Sequence, residues 1–140
     1  MPDSAYSQED FCKELFKTFD AGMWKWDDRF DCVLAEFSVY DQDIVRMILK
    51  RHLNSVWDTS NVDTAPETVQ RINDHFGGLM SRQMLFTSEP GQGDLLCCAW
   101  WPWGNGETIS IRVAPFLGKL PEPQRIERIN LFKGWFGMNS

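Results

Sequence analysis

The chain has 140 residues, of which 43% are hydrophobic and 14% aromatic. That is enough for one domain over 1–140 with its own core, and too aromatic for a disordered chain. The net charge is −6, with −7 on residues 1–80 and +1 on residues 81–140. An acidic surface repels phosphate backbones, so nucleic acid and anionic membranes are set aside and a basic protein partner is favoured.

No apolar run is long enough to cross a bilayer, and the start, MPDSAYSQED, lacks the basic-then-apolar pattern of a secretory signal. A cytoplasmic location is expected. Cys12, Cys32, Cys97 and Cys98 show no C-x-x-C spacing, so four reduced, mostly core thiols are expected.

In chain order, Ser7 and Asp10 form a variant of the capping box. Phe11, Leu15 and Phe19 then recur at helical spacing, which predicts a helix over 8–19. The segment DAGMWKWDDRFD interrupts it. Residues 32–39 alternate, with Val33, Ala35, Phe37 and Val39 on one face, and read as a strand. Asp41 is placed to cap a helix over 42–57, whose apolar side is Ile44, Val45, Ile48, Leu49, Leu53 and Val56.

A loop and a short helix follow, with Pro66 in its first turn, Val69, Ile72 and Phe76 as its stripe, and Gly77 or Gly78 at its end. Strands are expected at 82–87, 94–101 and 107–114. Pro121 and Pro123 introduce a last helix carrying Ile126, Ile129, Phe132 and Phe136 on one side. The predicted fold is α+β: an antiparallel sheet, made of a three-strand C-terminal meander plus one earlier strand, packed with about four helices.

The densest stretch is CCAWWPWGNGE at 97–107. Asn105-Gly106 is a signal for a two-residue hairpin turn with positive φ at both positions. Centring the turn there pairs Trp101 with Ser110, Trp100 with Ile111 and Cys98 with Val113. Cys98, Trp100, Ile109, Ile111 and Val113 then make a core face. Trp101, Trp103, Thr108, Ser110 and Arg112 make the other, and a one-residue slip would exchange the two. That second face is either covered by a helix, for instance the last one through Phe132 or Trp135, or open as an aromatic platform.

A second candidate surface is MWKWDDRFD, where Trp24 and Trp26 stand beside Asp27 and Asp28. It reads as a solvated loop or as a contact loop with acidic and aromatic anchors. Its acids do not follow the calcium-loop pattern. The only imidazoles are His52 and His75. Either could in principle serve a thiol nucleophile at Cys97 or Cys98, but no hydrolase, zinc-protease or P-loop motif is present. Neither a metal nor a cofactor is expected, and the chain is not expected to be an enzyme.

In size, acidity and aromatic content the chain is similar to small bacterial immunity proteins, which neutralise a cognate toxin. The resemblance rests on no motif and carries no residue over. The expected function is an inhibitor or immunity-type protein-binding module, using Trp101, Trp103, Thr108, Arg112, Trp24, Trp26, Asp27 and Asp28 as contacts. Alternatives are a secretion-type chaperone for an effector, or a small ligand binder or enzyme with a pocket beneath the sheet. The oligomeric state is left open.

Overall fold

A computed structural model describes residues 8–19, 21–88, 95–117 and 120–138. The elements in chain order are α1 (Gln8–Thr18), β1 (Lys25–Asp27), β2 (Cys32–Ser38), α2 (Gln42–His52), β3 (Ser55–Trp57), α3 (Glu67–His75), β4 (Met84–Thr87), β5 (Leu95–Pro102), β6 (Thr108–Phe116) and α4 (Glu122–Trp135). The strands form one antiparallel sheet in the order β1-β2-β6-β5-β4-β3. The fold is α+β, and the meander β4-β5-β6 lies at its centre.

The sheet has six strands, not the meander plus one. The two additional strands, β1 and β3, are three residues each and lie at the two edges. The helix expected over 42–57 stops at His52. Leu53 makes the last helical bond, its N–H donating to the Leu49 carbonyl at 2.7 Å, and Val56 then pairs with Phe86 instead of continuing the helical stripe. A sheet edge thus outcompetes one further turn of helix. Asp41 occupies the N-cap position of α2 but makes no side-chain cap bond, and Ser7 lies outside the described residues.

Both faces of the sheet are covered. On one face α1, α2 and α4 enclose Phe11, Leu15, Val45, Leu49, Phe37, Trp100, Ile111 and Phe132. On the other, α3 lays Val69 and Ile72, together with Phe76, over Leu85, Cys97, Ala99 and Ala114. β5 is therefore apolar on both sides, and Leu95 through Trp100 are all buried. The helix covering the second face is α3, not the last helix, whose Phe132 belongs to the opposite core. Ile44 and Ile126, expected inside, are about half exposed.

The β5–β6 register is the one the turn midpoint requires: Cys98↔Val113, Trp100↔Ile111, Trp101↔Ser110, Pro102↔Ile109. The turn itself differs. Only Gly106 has positive φ (72°), and Asn105 does not. The Gly106 N–H donates to the Trp103 carbonyl (3.3 Å), and the Trp103 N–H to the Thr108 carbonyl (2.8 Å). The Asn105 side-chain oxygen accepts from the Glu107 and Thr108 N–H groups. The loop is four residues long and symmetric about the same midpoint, so the pairing is unchanged.

Trp100 is 1% exposed and Trp103 41%, so Trp100→Ala should cost about 3–5 kcal/mol and Trp103→Ala within about 0.5 kcal/mol. Equal shifts in urea melts would contradict the assignment of faces. His52 stacks on Phe11 with ring centroids 5.2 Å apart, and burial lowers its pKa. The folded state thus disfavours the imidazolium. The associated stability is present above the ordinary imidazole pKa of about 6.5 and is lost as pH falls below it. Urea midpoints should drop over that window, and His52→Gln should flatten the drop; an unchanged slope in the variant would exclude His52 as the source.

Candidate functional site

The outer face of the hairpin is built into the protein. The Arg112 guanidinium lies 4.2 Å from the Trp101 ring centroid, and its Nε donates to Asp27 Oδ2 at 3.2 Å. A second nitrogen reaches Ser110 Oγ at 3.4 Å. Trp101 also meets Phe30 and Phe76 edge-on, and its indole N–H is buried without a partner. The Arg112 and Asp27 side chains are only 12% and 16% exposed. β1 carries Asp27 to this position, where it bridges across β2 to β6. Trp101, Arg112 and Asp27 thus tie the sheet together and do not form an open platform.

The 24–28 segment is likewise not an open contact loop. Trp24 is 5% exposed; its N–H donates to the Phe16 carbonyl at 3.1 Å, and its ring packs on Phe19 and Phe136. Trp26 is half-buried under the Lys133 ammonium, 4.5 Å from its ring centroid. Of the four residues singled out there, Asp28 alone is exposed. A three-residue strand gives too short an alternation to be read from sequence, so these side chains look solvated when they are not.

Trp103 and Thr108, by contrast, line a cleft of about 500 Å³ at one end of the sheet. Trp100, Ile109 and Met84 contribute apolar wall, and Arg46 comes from α2. Asp58, Thr59 and Ser60 belong to the turn after β3, and Arg82 and Gln83 to the turn that leads into β4. The Arg46 guanidinium stands 5.2 Å from the Trp100 ring centroid, and its Nε is buried with no hydrogen-bond partner. Arg82 holds a left-handed backbone, φ 73°. The Asp58 carboxylate accepts from the Ser60 hydroxyl (2.5 Å) and the Ser60 N–H (2.9 Å), and these bonds hold its pKa down. Sequence reasoning found Trp103 and Thr108 but missed Arg46, Asp58 and Arg82. These are far apart in the chain, and nothing local marks them.

A smaller pocket of about 230 Å³ between α3, α4 and the sheet brings His75 and Cys97 together, with Arg71, Asp31 and Arg125 around them. His75 Nε2 lies 2.8 Å from the Phe30 carbonyl, and Arg125 pairs with Asp31 at 2.9 Å. The Cys97 thiol donates to the Ala114 carbonyl at 3.4 Å, and burial pushes its pKa far up. The same desolvation raises Cys12 and Cys98 and takes Cys32 to about 12. A thiol nucleophile must be a thiolate, and these environments oppose one.

Among the described residues no three His, Cys, Asp or Glu side chains are grouped to hold a metal ion, and no helix is long and apolar enough to cross a membrane. No protein family, no curated protein and no solved structure matches the chain.

All four thiols are buried and unpaired. An aromatic disulfide reagent at about pH 8 should therefore react slowly with the native protein and fully, with four equivalents, once it is denatured without reductant. A fast-reacting thiol in the native protein would restore a thiol-enzyme reading of the His75 pocket.

Proposed function

We propose that this chain is a protein-binding module, of inhibitor or immunity type, that acts in the cytoplasm by docking a cognate toxin or enzyme. The observation that carries this reading is the cleft at the sheet end. There an exposed tryptophan, Trp103, lines the same cleft as Arg46, whose buried Nε–H has no partner among the described residues. Tryptophan and arginine are the residue types that most often dominate binding energy at protein interfaces. The net charge of −6 favours encounter with a basic surface. Unpaired thiols suit a reducing compartment.

The contact set is narrower than the sequence suggests. Trp103 and Thr108 are retained, joined by Arg46 and Arg82. Trp24, Trp26, Trp101, Asp27 and Arg112 are occupied within the protein. Asp28 serves only the long-range field. A small-molecule ligand is the second reading, supported by a volume within the usual 300–1,000 Å³ range of ligand sites.

The partner is to be isolated from the native host and its binding measured against variants. Trp103→Ala should weaken the complex by about 30-fold, mainly through faster dissociation. Asp28→Asn should instead slow association and reduce its salt dependence. Leu131→Ala, on the exposed side of α4, should change neither. If Trp103→Ala and Arg46→Gln both bind as the native chain does, the cleft is not the docking site.

A further inference from the structure

The arginines of this protein are treated unequally. Arg51 pairs with Glu14, Arg112 with Asp27 and Arg125 with Asp31. Among the described residues Arg29, Arg46, Arg71 and Arg82 make no ion pair, and of these Arg46 and Arg82 line one cleft. Yet acids outnumber bases by 20 to 14, so a shortage of carboxylates does not explain it. Asp58, the acid that lines the cleft, is turned to its own loop, bound to Ser60.

Arg46 is also held ready. Its guanidinium lies over the buried Trp100 ring, 5.2 Å from the centroid, a cation–π contact that holds the charge at the cleft wall. A guanidinium has donors only and stays charged, and Arg46 makes no ion pair among the described residues, so its charge is available to an acceptor entering the cleft. A carboxylate is the best such acceptor, because its two oxygens match the guanidinium fork.

Building on the docking reading, we infer that the element this cleft takes from the protein partner is anionic: an Asp or Glu side chain bonded to Arg46, within the field of Arg82, with a neighbouring aromatic side chain against Trp103. The apolar surface of Trp100, Met84 and Ile109 excludes water from that pair and strengthens it. Attraction at long range and anchoring at contact then use opposite signs. The acidic surface draws in a basic partner, and the cleft accepts one acidic residue from it.

The test titrates two peptides, acetyl-Phe-Glu-amide and acetyl-Phe-Gln-amide, into the ¹⁵N-labelled full chain, with the free acid phenylacetate as a third probe. The readouts are the Arg46 Nε–H and the indole N–H signals of Trp100 and Trp103. The glutamate peptide should bind saturably and at least about ten-fold more tightly than the glutamine peptide. Arg46→Gln should abolish that preference, Arg46→Lys should keep part of it, and Trp103→Ala should weaken both peptides alike. Spectral dispersion of each variant shows that it is folded.

Equal binding of the two peptides overturns the anionic assignment and leaves the docking reading standing. Phenylacetate binding more tightly than the glutamate peptide overturns the partner side chain as the source and favours a free small acid. No cleft shift with any of the three probes overturns the inference, while the docking reading falls only if partner binding is unchanged in Trp103→Ala and Arg46→Gln.

Discussion

The pairing of β5 with β6 decides which of two adjacent tryptophans enters which of two cores. Trp100 opposite Ile111 goes to the three-helix side, and Trp101 opposite Ser110 goes to the side under α3. Because β5 is buried on both faces, a slip of one residue would not merely expose apolar groups. It would put Ala99 and Trp101 where Cys98 and Trp100 sit and send Trp100 to the face under α3. Close-packed cores shaped around one set of side chains do not accept the other without loss. The loop at 103–108 holds the register through two backbone bonds and the Asn105 side chain.

From that register the rest of the site follows. Trp100 presents one surface to Phe37 and Phe86 in the core and another to the cleft, where Arg46 lies on it. Trp103, beyond the last core residue of β5, has no core to enter and stays half open at the same end. On the opposite face Arg112, fixed opposite Ala99, meets both Trp101 and Asp27. The β5–β6 hairpin thereby supplies the centre of two cores, the arginine of a structural ion pair and the wall of a cleft.

What the sequence made legible was what local pattern determines. The strand at 32–38 and the helices at 8–18 and 67–75 come from side-chain periodicity, the hairpin register comes from the Asn105-Gly106 midpoint, and the structure has all of them. Three-residue strands carry no such pattern, so the sequence does not mark β1 and β3, and Trp24, Trp26 and Asp27 read as part of a solvated or contact loop. The end of α2 was missed because Leu53 and Val56 fit a helical stripe. Only the availability of β4 as a neighbour turns Val56 into a strand residue. The cleft was half legible. Trp103 and Thr108 are marked by the hairpin, whereas Arg46 and Arg82 become partners in one site only once the chain closes.

The two short edges have a consequence for how this protein meets others of its kind. A sheet grows by adding strands to unpaired N–H and C=O groups, and each outer strand here offers only three residues of them. The outermost residues also carry bulky or charged groups, Lys25 and Asp27 at one edge and Trp57 at the other. Such edges are poor templates for lateral stacking into fibrils. Short edges of this kind guard a chain rich in tryptophan and phenylalanine against polymerising through its backbone.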